Sequence, residues 1–399
     1  MNELSKFQKG FYNTARTLVI PLIKLTGYSW EPYTPKSENY LVLTNHNTNW
    51  DFLYFAVVLK KQMYYVASEH IFRKGLTSKV INALVDPIPR RKGAASDDTV
   101  NMILERLKGG YNVCMMAEGN RSFSGETGFV SPKTAELVKK SGAGLITLAV
   151  HGCYFVNPRW ANKIRFGPTW GAVQGEYTAE ELAAMSDEEV YEIIKRDIYV
   201  DAYADQEKKM AKYRCLKPAE GLETALFYCP ECGYLDTMRS HGSMFGCLNC
   251  GTILKFNKYG YFEAAAEGAN EPKFTTIKDW YHAQLDYMKN YVYQARYYRT
   301  EQPLFYDDNI RLCEVHTGEG TKLIADGRLV MYRDRMELVN DDQTVSFELK
   351  DIAKISIALR DTMLFTVGDK YYQIKSFRGT YSALKYVMAS RLLLGKEYY

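Results

Sequence analysis

No run of about 18 or more apolar residues, the length a membrane-crossing helix needs, occurs in the 399-residue chain. No transmembrane helix is therefore expected. Residues 1–10 carry Lys6 and Lys9, but no apolar core of signal-peptide length and no small-residue cleavage site follows, so the expectation is an intracellular protein. Cysteine is scarce: 8 residues are far too few for a disulfide scaffold, and their meaning rests on spacing. Charge of one sign is also lacking. The 51 basic and 47 acidic residues leave only +4, too little to argue for nucleic acid, though it suits an anionic membrane surface. Internal repeats and low-complexity tracts are absent. With 46% hydrophobic and 25% charged residues, disordered and collagen-like chains are excluded. At about 150 residues per domain, the length argues for two or three domains. Tyrosine, in contrast, is plentiful, with 32 side chains that are apolar at one end and polar at the other.

From Tyr40 to Asn162 short apolar strands alternate with helical stretches. Strands are expected at Tyr40–Thr44, Met63–Ala67, Val113–Ala117 and Leu145–Val150. Helices are expected at Trp50–Lys61, His70–Leu84, from the Ser96 cap to Leu107, and at Lys133–Lys140. This alternation argues for an α/β layered domain with a largely parallel sheet. Two capping boxes, Thr178 with Glu181 and Ser186 with Glu189, open helices expected to continue to about Tyr213. Before the first strand, Phe7–Leu25 has helical spacing, with Phe11, Leu18, Leu22 and Leu25 among Lys9, Arg16 and Lys24. It suits either a helix packed on its own domain or one lying on a membrane surface.

The character changes near Pro218. Residues 226–262 form a small Cys- and aromatic-rich module, 279–300 a linking helix, and 310–399 a small β module closed by a helix at Tyr381–Leu394. Seven short strands are expected there: Lys322–Ala325, Leu329–Tyr332, Arg335–Val339, Thr344–Leu349, Ile355–Leu359, Met363–Val367 and Tyr371–Ile374. Asp326-Gly327 and Gly368-Asp369 read as hairpin turns, and the whole as a β-sandwich or barrel.

His46 and Asp51 stand in H-x-x-x-x-D between a strand end and a helix start. A short loop there can fold the carboxylate onto one imidazole nitrogen, leaving the other to take a proton from a hydroxyl. Glu118-Gly119-Asn120-Arg121-Ser122 follows a buried strand. Gly119 permits close backbone approach, and Arg121 offers a planar fork beside a Glu expected to be exposed. Between them Pro87–Gly93 carries Arg90, Arg91 and Lys92, suited to phosphate or simply to solvent.

In this order and spacing, His46…Asp51, the Ile88–Lys92 basic loop and Glu118–Ser122 resemble the glycerophospholipid (lysophospholipid) acyltransferase family, 1-acyl-glycerol-3-phosphate acyltransferases among them. The resemblance runs from Phe7 to Tyr203 and makes residues 1–217 the acyltransferase domain. It implies acyl transfer from a thioester carrier, acyl-coenzyme A or acyl carrier protein, to a hydroxyl of a glycerol phosphate or lysophospholipid at a membrane. The α/β domain would need no metal. His46 would be the general base, with Asp51 orienting it. Arg90 or Arg91 would match the second motif's basic residue. Glu118, Gly119 and Arg121, with Asn120 between, would match the third, acceptor-phosphate motif. That motif departs from the family at Ala117, where proline is usual, and at Asn120, where threonine is usual. The fourth, Leu145–Val150, lacks the common proline. A different hydroxyl acceptor, or a lipid-binding scaffold without catalysis, are the alternatives.

Cys229-Pro230-Glu231-Cys232-Gly233 and Cys247-Leu248-Asn249-Cys250-Gly251 give two C-x2-C turns that can close a tetrahedral four-thiolate site. The pattern resembles a zinc ribbon, with structural zinc expected. A redox role for the pairs lacks a thioredoxin-like context. Arg239 is the only basic residue between Cys232 and Cys247, which argues against a nucleic-acid face. The C-terminal β module loosely resembles a pleckstrin-homology-like fold in strand count and terminal helix. The whole is expected as a peripheral protein on the cytoplasmic face of a membrane.

Overall fold

The computed structural model describes residues 3–68, 85–90, 97–299, 301–316 and 320–395. The expected helix His70–Leu84, the Ser96 cap, and Arg91 and Lys92 of the basic loop lie outside the described residues. The chain divides into two compact units: one holds the residues up to Arg159 and then Ile164–Cys215, the other Trp160–Lys163 and the chain from Leu216 onward.

The first unit runs α1 (Glu3–Leu25), β1 (Tyr28–Trp30), β2 (Tyr40–Thr44), α2 (Asp51–Val58), β3 (Met63–Ser68), β4 (Ile88–Arg90), α3 (Asp97–Lys108), β5 (Asn112–Met116), α4 (Lys133–Ser141), β6 (Gly144–His151), α5 (Cys153–Val156), β7 (Thr169–Tyr177), α6 (Ala179–Ala184), α7 (Asp187–Ile198) and α8 (Ala202–Lys209). The strands form one sheet in the order β1-β7-β6-β2-β5-β3-β4. β6, β2, β5, β3 and β4 are mutually parallel, β7 runs antiparallel to β6, and β1 pairs parallel with β7. The α/β expectation of a largely parallel sheet matches this arrangement.

Because side chains alternate across a strand, β2 feeds two cores. Leu41 and Leu43 join Ile103, Leu107, Leu137, Val138, Val190 and Ile194 on the face covered by α3, α4 and α7. Tyr40 and Val42 join Ile23, Phe55, Val57 and Val58 on the face covered by α1 and α2. Several boundaries differ from expectation. α2 stops at Val58, where the next residue turns extended and the Tyr33 N–H takes up the Val58 carbonyl. Both capping boxes form, but they open the short α6 and α7. A further helix, capped by Asp201, ends at Met210 in a left-handed conformation, short of Tyr213. β1 and β7 were not anticipated.

The second unit holds an antiparallel sheet of β8 (Met238–His241), β9 (Met244–Cys247), β10 (Ile253–Phe256) and β11 (Phe262–Ala264), then α9 (Ile277–Tyr297). It continues with β12 (Phe305–His316), β13 (Gly320–Met331), β14 (Arg335–Val339), β15 (Thr344–Glu348), β16 (Ile352–Ala358), β17 (Thr362–Val367), β18 (Lys370–Ser376) and α10 (Ala383–Leu393). These seven strands pair antiparallel throughout in the order β15-β14-β13-β12-β18-β17-β16. By pairing this is one open sheet with edges at β15 and β16, not a closed barrel. The expected hairpin at Asp326-Gly327 does not exist. Both residues lie within β13, which merges two of the expected strands, with Gly327 opposite Ile310 and the β12 bulge beside it. A Cβ at Gly327 would strike the Val339 carbonyl, so close strand approach, not a turn, selects glycine there. The Gly368-Asp369 turn forms between β17 and β18.

Beneath the small sheet, Phe245, Phe256 and Phe262 pack with Trp280 of α9, ring centroids 5.0–5.9 Å apart. Gln284, fully buried, fastens α9 to the chain before the first Cys turn. Its Oε1 accepts the Phe227 and Tyr228 N–H groups and its Nε2 donates to Ala225.

Candidate functional site

The C-terminal ends of parallel strands converge at one edge of a sheet, where loops gather side chains from distant parts of the chain. β2 ends at Thr44, and Asn45 immediately locks the strand end. Its Nδ2 donates to the Val150 carbonyl at 2.8 Å, and its Oδ1 accepts the Val150 N–H at 2.9 Å. His46 is next. Its Nδ1 lies 3.0 Å from Asp51 Oδ2, and Asp51 is fully buried at the first turn of α2.

Asp51 also accepts the Asn47 N–H at 2.8 Å, the Thr48 N–H at 3.0 Å and the Thr48 hydroxyl. A carboxylate that accepts from this many donors is fixed in orientation. In the tautomer that lets Nδ1–H of His46 donate to Asp51, the basic lone pair belongs to Nε2, on the far side of the ring from Asp51. That arrangement equips the pair for proton abstraction without a covalent nucleophile.

Glu118, just past β5, is not the exposed partner of Arg121 that the sequence suggested. It is half-buried. Oε1 accepts the His46 N–H at 2.6 Å and Oε2 the Gly128 N–H at 2.5 Å, so one carboxyl joins three loops. Burial pushes its pKa up to about 8, against the pull of these two N–H groups. Arg121 is engaged elsewhere. Nε donates to Asn47 O at 2.8 Å, Nη1 to Asn49 Oδ1 at 2.9 Å, and Nη2 to Asn157 O and Oδ1 at 2.5 and 3.0 Å. Its planar fork braces the His46–Asp51 loop, and burial lowers its pKa to about 10.

Arg90 closes the constellation at the end of β4. Its guanidinium lies against Gly119, whose φ is +66° and whose missing Cβ leaves room for it. Among the described residues no carboxylate or hydrogen-bond partner holds Arg90, and burial lowers its pKa. Asn120 is half-buried in the same turn, while Arg91 lies outside the described residues. The structure thus brings together His46, Asp51, Arg90, Glu118, Gly119, Asn120 and Arg121. Sequence reading missed Asn45, Asn47, Thr48, Asn49 and Asn157. The density of Asn and Thr around His46, residue types that bond to nearby backbone, was the available signal.

Residues 28–151 match the family model described as Acyltransferase, a span that begins at β1 and ends with β6. The chain carries an acyltransferase-family domain. The chain is also similar to the solved 1-acyl-sn-glycerophosphate (LPA) acyltransferase, PlsC, from Thermotoga maritima. That likeness has 19% identity and a TM-score of 0.36, and covers 49% of this chain and 78% of that one. No curated protein matches the chain.

In the second unit, Cys229, Cys232, Cys247 and Cys250 bring four Sγ atoms within 4.8 Å of one another. The close contacts run between the two turns, 3.8 Å for Cys229–Cys250 and 3.7 Å for Cys232–Cys247. Zn–S bonds of about 2.3 Å in a tetrahedron set the sulfurs about 3.8 Å apart, so the donor set fits a four-thiolate metal centre. The two turns repeat one geometry. Gly233 N–H bonds Cys229 O and Gly251 N–H bonds Cys247 O, at φ +77° and +76°. His241 is not part of the cluster.

Among the described residues no helix is long and apolar enough to cross a membrane. α1 packs Tyr12, Val19, Ile20 and Ile23 inward, while Leu18, Leu22 and Leu25 are 69, 62 and 83% exposed.

Proposed function

We propose that the acyltransferase domain moves an acyl group from acyl-coenzyme A or acyl carrier protein to a hydroxyl of a glycerol phosphate or lysophospholipid. The observation that carries this reading is the His46–Asp51 contact within the family-matched segment. Nε2 of His46 takes the proton as the acceptor oxygen attacks the thioester carbonyl. The C–O bond forms, the C–S bond breaks, and the proton passes to the departing thiolate. Arg90 holds the acceptor phosphate over Gly119. Asn120 lines the same turn, Arg91 remains an alternative to Arg90 as the basic residue of the second motif, and Glu118 and Arg121 position the His46 loop. The departures at Ala117 and Asn120 favour an acceptor other than the family's commonest one as the second reading.

The Cys229, Cys232, Cys247 and Cys250 set would hold zinc. Four thiolates leave no open position, so the ion supplies folding energy to a ribbon and takes no part in the transfer. The seven-stranded sheet with α10 across it supports a pleckstrin-homology-like reading of the β module. The exposed Leu18, Leu22 and Leu25 support peripheral binding of α1 to a membrane surface, on its cytoplasmic face.

The test is thiol release from each acyl donor with a panel of lysolipids, comparing the native protein with His46→Ala. A loss of about 100-fold or more is expected in the variant. No His46-dependent release with any acceptor would favour the lipid-binding scaffold instead.

A further inference from the structure

The tyrosine excess has no part in the chemistry above, and one cluster of it is left in solvent. The last turns of α9 present Tyr293, Tyr297 and Tyr298 at 67, 68 and 76% exposure, with the stacked Tyr293–Tyr297 pair 6.2 Å apart and Tyr298 edge-on to Tyr297 at 5.0 Å. Their neighbours on the exposed side are Arg296 and Arg299. Residues 290–299 contain no carboxylate, and the nearest acid on the helix, Asp286, is already paired with Lys289. Among the described residues nothing pairs with either arginine side chain.

A basic residue in the last turn complements the helix dipole, which accounts for Arg296. It does not account for three contiguous aromatic rings held in water. The buried side of α9, through Met288, Val292 and Ala295, already satisfies the core, so these rings are not held out by want of packing room. A convex helix end with phenol rings and unpaired arginines is complementary to one kind of surface. Tyrosine favours the water–lipid boundary, and arginine is drawn to anionic headgroups. A protein groove or a second copy of the chain would more readily receive such rings alongside carboxylates to answer the arginines. Residues 290–299 offer none, and Glu301 just beyond is already paired with Arg333, so the segment lacks the self-complementary pairs a symmetric dimer needs.

We propose that the C-terminal end of α9 is a second membrane contact, docking Tyr293, Tyr297 and Tyr298 into the headgroup layer of an anionic bilayer with Arg296 and Arg299 paired to its phosphates. The contact is separate from α1 and does not depend on the catalytic reading, because it is read without acyl donor.

The full chain is floated with vesicles of phosphatidylcholine alone and of phosphatidylcholine with phosphatidylglycerol. Arg296→Gln/Arg299→Gln is expected to weaken partition onto the anionic vesicles by about tenfold and to leave the neutral ones unchanged. Tyr293→Ser/Tyr297→Ser/Tyr298→Ser is expected to weaken both by roughly threefold or more. All five residues are exposed, and an unchanged thermal midpoint checks the fold. Tyr297→Trp should shift its added emission to the blue when anionic vesicles are present. Three results would overturn the proposal: no vesicle binding by the full chain; unchanged partition of both variants and no emission shift, with Leu18→Ser/Leu22→Ser/Leu25→Ser alone abolishing binding; or a change in oligomeric state of the tyrosine variant at unaltered partition, which would assign the face to a second copy.

Discussion

Glu118 is the residue whose ionisation the site most plainly controls. With its pKa raised to about 8 from an ordinary 4.5, the folded chain holds a proton there that the unfolded chain has released. The folded state therefore binds more protons across that window. Stability falls as pH rises from 4.5 towards 8 and levels off above it. Glu118→Gln removes the titration and offers one acceptor oxygen where two N–H groups need one each. The variant is expected to be less stable at pH 5 but flatter between pH 5 and 8, as read from urea midpoints; parallel slopes would sink the assignment. At the same scale, Asn45→Ala leaves the buried Val150 N–H and carbonyl without their partner and should destabilise by about 2–4 kcal/mol. What sequence made visible here was local. His46 and Asp51 are five residues apart, and loop chemistry alone brings them together. The engagement of Arg121 was illegible because Asn157 comes from beyond β6 and only the folded sheet edge brings it near.

Among the elements, the turn after β5 does the most with least. Gly119 combines a left-handed backbone with contact to Arg90, so Gly119→Ala meets two penalties: about 1–2 kcal/mol for the conformation, and displacement of the guanidinium. Under the proposed reaction, KM for a phosphate-bearing acceptor should rise more than kcat falls. An equal fall in both would argue against Arg90 as the phosphate cation. The Cys turns were legible because each is a four-residue unit with its glycine, whereas β7 was not. Gly171 and Gly175 interrupt its apolar alternation. A Cβ at Gly171 would meet the Tyr28 hydroxyl from β1, and one at Gly175 would meet the Asp197 carboxylate from α7 as well as Tyr177 of its own strand, so distant partners impose both glycines. In the β module, merging two expected strands and missing β12 left the count at seven. The strand number survived while the registers did not.

At the scale of the molecule, the second unit is braced through a fully buried Lys385 on α10. Its Nζ lies 2.9 Å from Asp307 on β12 and also bonds Asp236, four residues past Cys232, while the Tyr386 hydroxyl donates to Asp307 at 2.8 Å. The two carboxylates hold the ammonium charged despite its burial. Lys385→Met leaves two half-buried acids side by side without their cation and should destabilise the unit by about 2–3 kcal/mol, seen as an early unfolding step in calorimetry. For the metal, about one zinc per chain is expected on thiol modification, with Cys232→Ser lowering both the zinc content and the midpoint of the same transition. The brace also sets an order of events during synthesis. The Cys turns and β11 leave the ribosome first, but the cation that neutralises Asp236 follows more than a hundred residues later. At about 5–20 residues per second, that is roughly ten seconds of translation. Over that interval the nascent Cys module has only Arg239 to answer Asp236, a stage at which a holdase has most to contribute and premature termination most to spoil.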